Sequence, residues 1–152
     1  MIERAKADLG QTQTINRTQY ELELTAYQAV WAALLPVHRA AVALRPAFDR
    51  GLGDGETEDS RKKDRLKAFG DTFNPFSEAV WKHRPFYPAP VFEELNGLLR
   101  LIHGEAIEYQ VFDQYRQMDY WEKAIANAKA INDQVDKVCD TIRNRLSAAR
   151  VA

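Results

Sequence analysis

The chain has 152 residues, of which 45% are hydrophobic and 28% are charged, so it is long enough for one domain with its own core. Its net charge of −1 gives no overall basic field, so we do not expect nucleic acid as a partner. A single cysteine excludes an internal disulfide and a cysteine-cluster zinc site, and it fits a reducing compartment.

The first helix is predicted to run from Ile2 to Phe48, because its apolar residues recur at spacings of three and four. Gly51 and Gly53 follow and are expected to end it. Pro36 lies inside this helix and predicts a bend, since proline removes a backbone donor. The apolar positions of this helix are Ile15, Leu22, Ala26, Val30, Ala33, Val37, Ala41, Leu44 and Phe48.

A helix of that length would reach roughly 70 Å, well beyond the length of the helices that follow. Its beginning is polar and carries only a thin apolar stripe. We therefore predict a polar helical stalk or linker over residues 1–19, which would suit an oligomerisation arm, and a single helical bundle domain over residues 20–152.

Three more helices follow, each with its own start signal. The second is expected to begin at an N-cap of Thr57 or Ser60 and to be kinked or briefly broken at Pro75. The third begins after Pro90, and the fourth begins at a capping box that starts with Asp119, unless the last two helices bend into each other without a loop. Their apolar positions are Leu66, Phe69, Phe73, Phe76 and Val80, then Val91, Leu95, Leu98, Ile102, Ala106, Tyr109 and Phe112, then Trp121, Ile125, Ala128, Ile131, Val135, Val138, Ile142 and Leu146.

Four amphipathic helices with short connections predict an all-α fold, an antiparallel four-helix bundle with a long, overhanging first helix and proline kinks. Neither strand alternation nor a hairpin signal points to a sheet. No run of residues is apolar enough for a membrane span, and we expect a cytoplasmic chain.

The stretch KHRPFYPAP, residues 82–90, is the strongest candidate for a site and is called the corner below. It would offer a rigid basic and aromatic platform to an anion or a nucleotide base. The candidate ligand-binding residues are Lys82, His83, Arg84 and Tyr87. The alternative is a purely structural corner, in which prolines end the helix, Phe86 plugs the end of the bundle and the cations cap carbonyl groups. The structural alternative is the preferred interpretation.

Other charged and reactive side chains favour structural roles. The segment SRKKDRLK, residues 60–67, is interpreted as an exposed helix face with electrostatic partners in its own preceding loop. No two histidines have the spacing of a helical zinc site, so we expect no metal. Cys139 fits a small core residue, and no nucleophile or phosphate-binding motif occurs. We expect no cofactor and no catalytic residue.

Three segments, YELELTAYQAVW (residues 20–31), LRP (residues 44–46) and RPFYP (residues 84–88), carry a family resemblance. Together they are similar to a group of uncharacterised bacterial proteins. The resemblance implies a helical cytoplasmic domain behind an N-terminal membrane span, which this chain lacks. It implies a location at the inner face of a membrane for a full-length protein, and it brings no activity or site residues with it.

The leading hypothesis is therefore a non-enzymatic helical module that binds a partner protein or itself. The alternative is a sensor domain for an anionic small molecule or nucleotide, with a pocket made from the corner together with Arg45 and Arg50. Those two arginines are expected at the opposite end of the bundle from the corner, which counts against this pocket. A third hypothesis is a hydrolase that uses His103 and its neighbouring glutamates.

Overall fold

A computed structural model of the chain describes the backbone of residues 2–151 and the side chains of residues 16–148. Four α-helices and a short 3-10 turn account for most of this range, and no strand occurs within it. The helices are α1 (Ile2–Val42), α2 (Glu58–Lys82), α3 (Ala89–Val111) and α4 (Tyr120–Val151), with the 3-10 turn at Arg84–Phe86.

The helices pack antiparallel, each against the next along the chain. α1 packs mainly on α2 and α3 mainly on α4, while α2 borders α3 and α1 borders α4. Two contacts fix the direction of the last pair: Glu23 binds Arg145 (2.8 Å), and His38 binds Asn132 (2.6 Å). The predicted all-α antiparallel four-helix bundle is confirmed.

The core follows the predicted apolar spacing through most of its length. Burying each large aliphatic or aromatic side chain contributes about 1.5–3 kcal/mol. The largest fully buried side chains are Phe76, Leu34, Leu44, Leu95, Leu98, Ile102, Ile131, Val30, Val37, Val80 and Val138.

The first helix ends earlier than its apolar spacing predicts. α1 ends at Val42 and not at Phe48, whose side chain is 97% exposed. The cause is Pro46, because a residue that precedes proline, here Arg45, is pushed out of the helical conformation. The predicted role of Gly51 and Gly53 in ending this helix is therefore wrong.

The first two turns of α4 also bury a different face from the predicted one. Trp121 and Ile125 are 43% and 63% exposed, whereas Tyr120 and Ala124 are buried. α1 ends at Val42, four residues beyond His38, which contacts Asn132, so α1 stops short of the level of Trp121 and Ile125 on α4. The early end of α1 thus exposes an apolar surface at this end of the bundle.

Both helices that contain an internal proline continue through it. α1 passes Pro36 and α2 passes Pro75 without a break, so the predicted interruption at Pro75 is not seen. Each proline lacks the N–H that would donate to the carbonyl group four residues earlier. Both prolines lie on the exposed side of their helix, so water can bind that carbonyl group instead.

The predicted start of α2 is confirmed. Ser60 donates its backbone N–H to the Thr57 hydroxyl (3.1 Å), and Thr57 donates its backbone N–H to the Ser60 hydroxyl (2.9 Å). The two residues form a capping box, in which each satisfies one free donor of the helix start. α4 likewise begins directly after Asp119, whose carboxylate pairs with Lys123 (3.3 Å), and residues 112–119 separate it from α3.

The stalk is only partly within the described side chains. Residues 16–19 are exposed, and Leu22 is 47% exposed although it belongs to the predicted apolar stripe. Ile15 and the side chains before it lie outside the described residues. The boundary of the stalk at residue 19 stays a prediction.

Candidate functional site

Tyr87 of the predicted site is a core residue. Its side chain is buried, its ring stacks on Tyr27 with centroids 6.1 Å apart, and its hydroxyl donates to the carbonyl of Val80. Burial raises the pKa of Tyr87 to about 12. Phe86, by contrast, is 43% exposed. The side chain that plugs this end of the bundle is therefore Tyr87, and the prediction that Phe86 does so is wrong.

The basic residues of the corner cap α2 and cover an aromatic surface. His83 places its backbone N–H and its Nδ1 at 3.1 and 2.9 Å from the Ala79 carbonyl oxygen, as a C-cap does. The exposed guanidinium of Arg84 lies 3.9 Å from the centroid of the Phe92 ring and 5.0 Å from that of Trp81. Lys82 is the exposed last residue of α2.

The corner does not line either of the two cavities described here. A cleft at the opposite end of the bundle and an apolar groove between α1 and α4 are both lined without any residue of the corner. The alternative pocket also needs Arg45, which lies at the far end of α1 and binds α3. The four predicted site residues thus share a segment, and the structure does not bring Arg45 to them.

We expect Tyr87→Ala to lower the free energy of unfolding by roughly 3–5 kcal/mol, because it removes a buried aromatic ring and leaves a cavity. The matched change Phe86→Ala removes the same kind of ring from the neighbouring, exposed residue. It should lower the free energy of unfolding by less than about 1 kcal/mol. Urea denaturation of the two variants measures both values. Equal losses would contradict the assignment of Tyr87 as the plug.

The other end of the bundle carries a cleft of about 480 Å³, within the range of cavities that accept ligands or side chains. The α1–α2 connection, residues 43–57, forms one wall and is called the strap. The α3–α4 connection, residues 112–119, forms the opposite wall. The name loop pole is used below for four parts taken together: the strap, the α3–α4 connection (residues 112–119), Val111 and Trp121.

Arg61 of α2 binds the strap in several places. Its guanidinium donates to both carboxylate oxygens of Glu56, at 3.3 and 3.0 Å. It also donates to the carbonyl oxygens of Arg50 (2.9 Å) and Gly51 (2.7 Å). Its side chain is only 12% exposed, and its bonds to Glu56 are partly shielded from water.

Arg65, one helical turn further along α2, binds the strap in a second place. Two of its nitrogens donate to the two carboxylate oxygens of Asp49, at 2.9 and 2.6 Å. One of them also donates to the carbonyl oxygen of Leu44 (3.2 Å). Such forked contacts combine charge with fixed geometry and are among the stronger hydrogen bonds in proteins.

These contacts keep the strap carboxylates charged. The hydrogen bonds from Arg65 lower the pKa of Asp49, and those from Arg61 lower the pKa of Glu56. The strap has little apolar anchorage beyond Leu44, since Phe48 is 97% exposed and Leu52 is 49% exposed. Charged hydrogen bonds, more than burial, hold the strap in place.

A buried ion cluster fixes the start of the strap. Arg45 donates to Glu105 (2.7 and 2.5 Å), to Glu108 (2.9 Å) and to the carbonyl oxygen of Tyr120 (3.2 Å). Asn127 donates to both carboxylates, at 2.8 and 3.0 Å. Burial alone would lower the pKa of Arg45, but its bonds to the two glutamates raise it. The cluster thus ties the strap to α3 and α4.

The loop pole is also rich in exposed apolar side chains. Within the described residues, six of the thirteen large hydrophobic side chains that are exposed lie here. They are Phe48, Leu52, Val111, Tyr115, Met118 and Trp121. A soluble domain rarely gathers such side chains in one place without a binding role.

Two of the cations of residues 60–67 and the histidine of the predicted hydrolase site, His103, lie in places that differ from the prediction. Of the cations of residues 60–67, Arg61 and Arg65 pair with their own preceding loop, whereas Lys67 pairs with Asp71 of α2. Both arginines are mostly buried and not on a solvated face, which differs from the prediction. His103 is exposed and stacks on Phe73 (5.6 Å), while Glu105 points to Arg45. The structure therefore does not bring His103 and Glu105 together for hydrolysis.

Among the residues that the structure describes, no group of three or more histidine, cysteine or acidic side chains is placed to hold a metal ion. None of the described helices is long and apolar enough to cross a membrane. Cys139 is half-buried, with its sulfur 3.7 Å from a guanidinium nitrogen of Arg143.

Comparisons with protein-family models, with curated proteins and with solved structures find no match to this chain. The resemblance to bacterial proteins with a membrane span therefore stays a prediction.

Proposed function

We propose that the chain is a non-enzymatic helical interaction module that binds a protein, either a second copy or a different chain, through its loop pole. The observation that supports this most is that exposed Phe48 and Met118 lie in the two connections that border one cleft, and that exposed Trp121 lines the cleft itself. Aromatic residues and methionine are enriched where proteins bind each other, and an aromatic side chain in a pocket is a common energetic centre of an interface.

The charges around the loop pole suit the same role. Strap carboxylates and α2 arginines neutralise each other, and Tyr115 donates to Glu58 (2.7 Å) across the cleft. Covering charges that are already paired leaves neither member without its ionic partner. A partner that covered the strap in place would therefore leave Glu56 and Asp49 paired with the α2 arginines.

The proposal includes a tether ahead of residue 1, as the family resemblance implies. α1 runs from Ile2 towards the loop pole and ends there at Val42. A membrane anchor at the beginning of the chain would place the loop pole at the end of the bundle away from the membrane. The pole would then face partners in the cytoplasm.

The double substitution Phe48→Asp and Met118→Asp should abolish association, because it places two charges among the apolar anchors. Sedimentation velocity over a range of concentrations detects a second copy, and affinity capture from cells detects a different chain. Both side chains are almost fully exposed, so folding should be preserved.

The control is Gln28→Asp with Asn144→Asp, which adds the same charge at exposed positions on the side of the bundle. Association that survives in the control and is lost in the loop-pole variant supports the proposal. Association that is absent from the wild type, or equal in both variants, contradicts it.

A further inference from the structure

Arg61 and Arg65 form a ready-made site for two carboxylates. They lie four residues apart on α2, so their side chains are neighbours on one helix face. Each holds a carboxylate with two guanidinium contacts, Glu56 on Arg61 and Asp49 on Arg65. Both arginine side chains are mostly shielded from water, at 12% and 20% exposure.

Beyond Leu44 and Arg45, the strap that occupies this site has little apolar anchorage. The strap has no helix or strand from residue 44 to its N-cap at Thr57, and Phe48 and Leu52 face solvent. Gly55, with φ of +75°, adopts a left-handed conformation that other residues rarely take, and it supports the turn before Glu56. Among the described residues, Arg61 and Arg65 supply the hydrogen bonds from α2 side chains to the strap, apart from those of the cap at Thr57.

The cleft that the strap borders has a mostly polar lining that also includes several aromatic rings. Tyr109, Phe112 and Tyr120 lie along it, beside the arginine pair. A peptide that bound both arginines through carboxylates could place an apolar side chain against these rings. The charge and the shape of the site thus suit an acidic segment with an aromatic or aliphatic residue close to its carboxylates.

We propose that Asp49 and Glu56 occupy the arginine pair as an intramolecular substitute, and that an acidic segment of a protein partner displaces them to reach the cleft. This inference rests on the proposed function, since it names the chemistry of a partner of the same loop pole. Occupation by the strap weakens the apparent affinity, because the apparent dissociation constant is the intrinsic one divided by the fraction of time that the arginines are free. The strap is then an autoinhibitory contact.

The probe is a fluorescein-labelled peptide with the sequence of residues 44–57, the natural occupant supplied from outside. Its anisotropy is measured against the wild-type chain and against the Asp49→Asn, Glu56→Gln variant, which removes the two carboxylates that compete for the arginines and is called the released variant. We expect the variant to bind at least about tenfold more tightly than the wild type, because the competing strap is lost. A peptide with the same two substitutions is the control and should not bind.

Adding Arg61→Gln and Arg65→Gln to the released variant should remove the binding. Equal affinity of the wild type and the released variant would overturn the inference, as would equal binding of the two peptides. These measurements need only the purified chain and a synthetic peptide. A negative result therefore leaves association through Phe48 and Met118 as a separate question.

Hydrogen exchange of the wild-type strap gives a second measurement that needs no substitution. Raising the salt concentration to about 1 M screens charged contacts, and it should accelerate exchange of the strap amides while those of α3 stay protected. Strap amides whose exchange does not change with salt would show that the strap is not held by charge. That outcome would also overturn the inference.

Discussion

Arg45→Ala should lower the free energy of unfolding by roughly 3–5 kcal/mol, one of the largest losses expected for any single substitution in the chain. The Arg45 side chain is fully buried, and it binds Glu105 and Glu108 at once. Without the guanidinium, Glu105 keeps only the weaker bond from Asn127 in a buried place. A buried charge that has lost its ionic partner is far more costly than the same charge in water.

Equilibrium urea denaturation measures the loss, with Arg50→Ala as the matched control. Arg50 is 67% exposed and pairs with Glu56 at the surface, so its loss should cost less than about 1 kcal/mol. The double variant Arg45→Met, Glu105→Gln should be more stable than the sum of the two single losses predicts, because it removes both charges together. Equal losses at Arg45 and Arg50 would show that the buried cluster does not hold the strap.

Phe76→Ala should cost roughly 3–5 kcal/mol as well, since its ring is 0% exposed and its loss leaves a cavity at the centre of the bundle. Three phenylalanines permit the same chemical change at different depths. Phe73 is half-buried between Phe69 and His103, so Phe73→Ala should lower the free energy of unfolding by less than Phe76→Ala does. Phe48 is exposed, so Phe48→Ala should lower it by less than about 0.5 kcal/mol.

Thermal and urea unfolding of the three variants test this order. A loss at Phe48 as large as that at Phe76 would mean that the strap is packed into the core. A small loss at Phe76 would contradict the assignment of the α2 core face.

The class of fold could be predicted because helix spacing is a local property. Phe76, Leu95 and Val138 lie where their periodicity places them, and the Thr57 cap was visible as a residue type before a helix. The end of α1 could also have been predicted, since Pro46 is present in the sequence and restricts Arg45. The continuing apolar spacing as far as Phe48 concealed it.

The candidate site was only partly predictable. The pairing of Arg61 with Glu56 follows from opposite charges near each other in sequence. The burial of Arg45 does not, because Glu105 is sixty residues away and meets it only once α1 and α3 have packed. The exposed surface of Trp121 is likewise a consequence of where another helix ends.

The most direct test of the account is site-specific photo-cross-linking in cells. A photoreactive amino acid at position 48, on the exposed strap, should give a discrete adduct with a protein, and the mass of the adduct distinguishes a second copy from a different chain. The same group at position 129, an exposed site on the side of α4, is the control and should give none. Adducts at position 129 as strong as those at position 48, or none at position 48, would contradict binding through the loop pole.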